Sequence, residues 1–183
     1  MLAALQNFDG AVLLWIQAFV RQSLLDPAVS FYTTLGNSGL LWIALSAVML
    51  CFKPTRKAGC ISLLAMALGL VCTNIVLKHL VARPRPWLDV AGLIPLVNEP
   101  DPNSFPSGHT CAAFAAAMAW WQTLPKRWMG AAGVVMAVCM GLSRLYVGVH
   151  YPSDVVAGAL VGAMCGWCAW RVWERFAWNK ADQ

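Results

Sequence analysis

Lys78, Arg85, His109, Arg144, His150 and Asp154 are the residues of this chain whose types and spacing could do chemistry together, in a sequence with only 11% charged residues. Three cations held at one place call for an anion, and a dianionic phosphate is the natural fit. Arginine's planar fork matches two phosphate oxygens, while lysine supplies a compact charge. Ser107, Gly108 and His109 lie in "PSGH" at the expected start of a helix, where backbone N–H groups point outward and glycine permits close approach. Asp154 follows His150 by four residues, so its carboxylate can hold one ring nitrogen and leave the other free to attack. His109 can then protonate the departing oxygen. The sum is phosphoryl transfer through a phosphohistidine. Taken singly, each residue has an ordinary structural explanation. Lys78 and Arg144 could be cations snorkelling from helix ends, and Asp154 an acid favoured by a helix N-terminus. Convergence of all of them is what argues for a site.

Convergence must come from the elements that carry them. Hydrophobic residues make up 60% of the chain and mean hydropathy is +0.62, too apolar to cover a water-facing surface. The expected fold is therefore an all-α integral membrane bundle of five to six transmembrane helices, built as a single domain over residues 1–183. Apolar segments at 28–52, 58–82, 106–124, 128–149 and 153–173 approach the length of about 20 residues needed to span a bilayer. The breaks between them have physical causes: charges and a proline in "KPTRK" (53–57), two prolines in "ARPRPW" (82–87), a short turn at "LPKR" (124–127), and Pro152 placed to open the last helix. The segment 11–20 is short, and residues 1–27 read as an interfacial or short first helix. Gly158, Gly162 and Gly166 form a stripe suited to close helix packing.

Antiparallel spans sort the loops onto two faces. One face carries Lys53, Arg56, Lys57, Lys126, Arg127, Arg171, Arg175 and Lys180, and the positive-inside rule places it in the cytoplasm. The chemical residues then lie together at the opposite, extracytoplasmic face of the cell membrane. The net charge of +5 is dispersed, which argues against nucleic acid as a partner. Seven cysteines, scattered through apolar segments, argue against a disulfide framework. A metal route is weaker, because Asp154 is the lone carboxylate of the motif. Asp89, Glu99 and Asp101, in the 87–105 loop, read as solvated loop acids.

Lys78-x6-Arg85-Pro86, Pro106-Ser107-Gly108-His109 and Ser143-Arg144-x5-His150-x3-Asp154 together resemble the three-part signature of the type 2 phosphatidic acid phosphatase superfamily, which also includes the vanadium haloperoxidases. The match runs in order over residues 78–154, and the flanking helices suit the small bacterial membrane members. The N-terminal third is similar only in being hydrophobic. The resemblance implies that His150 is the nucleophile, Asp154 orients it, and His109 is the general acid. It implies that Lys78, Arg85, Ser107, Gly108 and Arg144 bind phosphate, with no metal and no cofactor. Arg83 lies outside the signature and reads either as a contact to a second phosphate or headgroup, or as an interfacial cation; His79 is expected to face the interface. The implied reaction is hydrolysis of a lipid phosphate or diphosphate, foremost undecaprenyl diphosphate, whose cleavage gives undecaprenyl phosphate plus phosphate and serves cell wall biogenesis. Phosphatidylglycerophosphate, phosphatidate and lipid A phosphate are alternatives, as are transfer to another lipid and a haloperoxidase activity. A non-catalytic lipid-phosphate binder or transporter is the alternative outside enzymology. The oligomeric state is left open.

Overall fold

Helices account for nearly all of the regular structure in the computed structural model, which describes residues 2–181, with side chains from 4 to 176. Helix α1 (Leu2–Trp15) runs on through a π-helical turn, Ile16–Val20. It is followed by α2 (Asp26–Leu35), α3 (Leu40–Leu50) and α4 (Arg56–Val81). After a loop come α5 (Gly108–Thr123), α6 (Arg127–Tyr146) and α7 (Pro152–Ala181). The side chain of Lys180 lies outside the described residues.

Arg56–Val81, Arg127–Tyr146 and Pro152–Phe176 are long and apolar enough to cross a bilayer, and Asp26–Leu35 with Asn37–Leu50 qualifies only as a pair bent by 53°. One expectation is thereby corrected. The segment 28–52 is no straight span, because Ser38 and Gly39 adopt left-handed backbone (φ 52° and 72°) and break it. The first helix, from Leu2 through the π-helical turn to Val20, lies within the expected 1–27. Large apolar side chains such as Phe8, Phe19, Leu80, Val135, Leu160 and Phe176 stand exposed around the bundle, as lipid contact requires. The chain is a multi-pass membrane protein.

Helix α5 is the centre of the bundle. Ala113, Ala115, Ala116, Ala117 and Ala119 are all buried, so it is covered on every side and its small side chains let neighbours approach closely. Helix α7 lies parallel to it in fixed register. A Cβ on Gly158, Gly162 or Gly166 would come within 2.5, 2.3 and 2.6 Å of the carbonyl oxygens of Ser107, Cys111 and Ala115. Those approaches admit no side chain, which explains the glycine stripe. Helices α4 and α6 run antiparallel to α5, with Gly69 against Cys111 and Gly130 against Trp121. One end of the bundle therefore holds the start of α4, the α5–α6 turn and the C-terminal part of α7, where Lys57 pairs with Glu174 at 2.5 Å. The other end holds the end of α4 and the starts of α5 and α7.

That second end is roofed by the 87–105 loop, which the N-terminal helix fastens. Gln6 donates to Asp89 (3.1 Å), Gln17 bonds both Gly92 O and Ile94 N (2.9 and 2.8 Å), and Arg21 donates to Ile94 O (2.5 Å). Ser104 N donates to Arg83 O at 2.7 Å, closing the loop back onto its own start.

Candidate active site

Four helix ends bring the chemical residues together. Lys78 sits one turn before the end of α4, after a π-helical stretch at Val71–Leu77, and is 8% exposed. Arg85 follows in the proline-stiffened exit; Arg144 lies in the last turn of α6; each is 1% exposed. His150 is in the turn between α6 and α7, Asp154 in the first turn of α7, and both are buried. Lys78, Arg85, Gly108, His109 and His150 line one cavity of about 570 Å³. From these groups the cavity runs down between α3, α4 and α5 against Ile43, Leu63, Met66 and Leu70. One end is charged, with Lys78 and Arg85 beside Glu99 and Asp101, and the other apolar.

The neighbours of His150 fix its tautomer. Arg85 Nη1 donates to His150 Nε2 at 2.9 Å and to Val149 O at the same distance, so Nε2 carries the lone pair and Nδ1 the proton. Nδ1 faces Asp154 Oδ2 at 3.6 Å, just beyond hydrogen-bond length. Complete burial, then the charges of Arg85, Arg144 and Lys78, push the His150 pKa well below its ordinary value. The ring is thus held neutral, with its Nε2 lone pair accepting from Arg85; a phosphoryl oxygen that took over that donor would free the lone pair to attack. His109 lies across the cavity, and its Nε2 is 2.9 Å from Asn37 Oδ1 in the bend between α2 and α3.

Ser107 stands at the cap of the helix. Its hydroxyl caps α5, accepting from Thr110 N (3.4 Å) and Thr110 Oγ1 (2.9 Å), and its N–H donates to Asp154 O (3.1 Å). Among the described residues the N–H groups of Gly108 and His109 remain free at the helix start, so an anion there would meet those two. A Cβ on Gly108 would lie 2.9 Å from Asn74 Oδ1.

Of the three loop acids, Asp89 stays exposed, while Glu99 and Asp101 turn to the cations. Glu99 bridges Arg85 (3.7 Å) and Arg144, and Asp101 pairs with Lys78, so carboxylates cap all three cations. Burial opposes ionisation of Asp101, but bonds from Lys78 and Asn103 N–H outweigh it and hold its carboxyl below the usual carboxylate range. Buried cations need counter-charge, and the loop supplies it. Arg83 also departs from expectation. Its guanidinium turns inward to Asp9 and Asp154 (2.9 and 2.8 Å) rather than toward a headgroup. His79 is exposed, with Nδ1 3.0 Å from Ile75 O. Sequence reasoning missed Asp9, Thr33 and Asn37. A lone acid inside the apolar first helix is a signal for Asp9; Thr33, which accepts from Arg144 Nη1 at 2.8 Å, carries none.

A family model described as the PAP2 superfamily matches residues 58–178, which include every residue of the cationic cluster together with His109 and His150. The chain belongs to the PAP2 superfamily. Among PAP2 relatives, an undecaprenyl-diphosphatase of Sulfolobus acidocaldarius is 38% identical over 123 residues, 67% of this chain; the chain spans 59% of that protein's length. The decaprenylphosphoryl-5-phosphoribose phosphatase of Mycolicibacterium smegmatis is 33% identical over 153 residues, 82% of this chain and 81% of that one. The crystal structure of the first transmembrane PAP2 type phosphatidylglycerolphosphate phosphatase from Bacillus subtilis has a TM-score of 0.77 at 28% identity, covering 94% of this chain and 87% of that one. The three relatives are named for three different phosphorylated substrates. PAP2 membership thus places the chain among membrane relatives named as phosphatases and leaves the substrate open.

Proposed function

We propose that this protein hydrolyses a lipid diphosphate, foremost undecaprenyl diphosphate, without a metal, through a phosphohistidine on His150. The observation that carries the reading is the His150 imidazole, neutral, with Nε2 turned into a cluster of three cations and Nδ1 toward Asp154. In the first step Nε2 attacks phosphorus, an N–P bond forms, and the P–O bond to the lipid product breaks. His109, entering as the imidazolium beside the bound phosphate, delivers its Nδ1 proton to that departing oxygen and becomes neutral. Lys78, Arg85, Arg144 and the N–H groups of Gly108 and His109 stabilise the charge on the phosphoryl oxygens. In the second step His109 takes a proton from water, water oxygen bonds to phosphorus, and the N–P bond breaks to release inorganic phosphate. The cavity supports an amphiphilic substrate, since its charged end, with Lys78 and Arg85, opens into apolar walls. The name of the Sulfolobus acidocaldarius relative favours a polyprenyl diphosphate over the other lipids.

Purified protein in detergent with EDTA is expected to release phosphate from undecaprenyl diphosphate faster than from phosphatidylglycerophosphate, phosphatidate or lipid A. His150→Ala is expected to abolish release, and a faster reaction on another lipid would reassign the substrate. Normal turnover by the variant would sink the nucleophile, and loss of activity in EDTA would sink metal independence. We place the site on the extracytoplasmic face, because the opposite end is the more basic one. A tag inserted at 125–127 should therefore resist labelling from outside intact cells, and labelling there would invert the topology.

A further inference from the structure

Behind Asp154, on the side away from His150, lies a buried charge network that none of the steps above uses. Arg83 Nη1 donates to Asp154 Oδ1 (2.8 Å) and to Ser153 Oγ (2.7 Å), while Nη2 donates to Asp9 Oδ2 (2.9 Å). Ser153 returns to the same acid: its hydroxyl donates to Asp9 Oδ2 and its N–H to Asp9 Oδ1. The guanidinium also lies over the Tyr151 ring, 3.8 Å from its centroid. Asp9 and Asp154 are 1% and 0% exposed, so neither charge is relieved by water.

We propose that Arg83 and Asp9 are positioning residues for the reaction, holding the Asp154 carboxylate in the orientation from which it serves His150. The division of labour on Asp154 supports this. Arg83 engages Oδ1, Tyr151 N–H engages Oδ2 at 2.9 Å, and Oδ2 is the oxygen turned to His150. Without the Arg83 bond the carboxylate could rotate. The charges argue for Asp9 as well. One guanidinium is shared between two carboxylates, leaving the group a net negative charge with which to stabilise the cationic imidazole as the N–P bond forms. If Asp9 were neutral, Arg83 would pair with Asp154 alone and draw that charge away from His150. Without Arg83, two buried carboxylates would face each other unbalanced. The N-terminal helix thus reaches the reaction without touching the substrate.

The proposal rests on His150 being the nucleophile, so wild-type enzyme is first shown to form an acid-labile phosphohistidine; without it, the parent reading fails rather than this one. In Arg83→Gln, kcat is expected to fall about 10- to 100-fold, while the inhibition constant of inorganic phosphate stays within about threefold, because the phosphate cations are untouched. Asp9→Asn, which preserves shape and an acceptor oxygen, is expected to lose about three- to tenfold in kcat, again with phosphate binding preserved. The charge-balanced double variant, Arg83→Gln with Asp9→Asn, is expected to outperform Arg83→Gln alone. A raised phosphate inhibition constant with kcat intact would make Arg83 a ligand contact and overturn the proposal. Parallel loss of kcat and phosphate binding would reduce the network to a structural prop. Unchanged kcat in Asp9→Asn overturns the claim for Asp9 even if Arg83→Gln does not fold.

Discussion

The matched segment, 58–178, and the first 57 residues contribute to the same site in different currencies. From the first come the charges and the reactive nitrogens: Lys78, Arg85, His109, Arg144, His150 and Asp154. From the second come partners that touch those groups at hydrogen-bond distance. Thr33 meets Arg144 at 2.8 Å, Asn37 meets His109 at 2.9 Å, and Asp9 reaches Asp154 through Arg83. A phosphate ligand is defined by charge, which residue type reveals. Its aim is set by small neutral or buried partners, whose residue types occur everywhere in proteins. The comparison teaches that the first 57 residues, outside the family match, supply hydrogen-bond partners to the proposed site.

The comparison is tested most severely at Asn37, which touches a proposed general acid from outside the family match. Its amide oxygen accepts from His109 Nε2, fixing the ring and leaving Nδ1 as the nitrogen free to exchange a proton. Asn37→Ala is expected to lower kcat on a lipid substrate about tenfold, part of the 10²- to 10⁴-fold that general acids supply. On an aryl phosphate with a good leaving group the loss should shrink toward twofold, because little proton donation is needed. Equal losses on both substrates would show that Asn37 shapes the cavity and does not serve His109.

How much was legible beforehand follows the same division. Spans 58–82, 106–124, 128–149 and 153–173 were readable because prolines and charges end them, and the helices found there keep those limits within a few residues, save that α7 runs on to Ala181. The convergence of four helix ends was readable from alternation alone. The break inside 28–52 was not read, although "GNSG" contains it, because a continuous apolar run outweighed a short glycine turn. Arg83 could not be assigned from sequence: an arginine beside the motif has no preferred direction until a buried acid 74 residues away is brought to it. Glu99 and Asp101 failed for the opposite reason. Acids in a polar loop are ordinarily solvated, and only the fold shows that the loop is strapped across three cations.

The smallest expected effect comes from that strap. Glu99 occupies Arg85 and Arg144, the places where phosphoryl oxygens would bind, so substrate must displace a carboxylate or sit beside it. Either course costs affinity, and Glu99→Gln removes the competing charge while keeping the side chain's shape. Its affinity for inorganic phosphate, by inhibition or calorimetry, is expected to rise about three- to tenfold. The same substitution strips two buried guanidiniums of their counter-charge, so the phosphate-free protein should melt at a lower temperature. Added phosphate should then stabilise the variant more than the wild type, since binding and folding are linked. The two measurements move in opposite directions only if the carboxylate is a stand-in for substrate. Weaker phosphate binding in Glu99→Gln would instead mean that Glu99 holds the arginines in their productive geometry, and the loop would join the first 57 residues as support for the site.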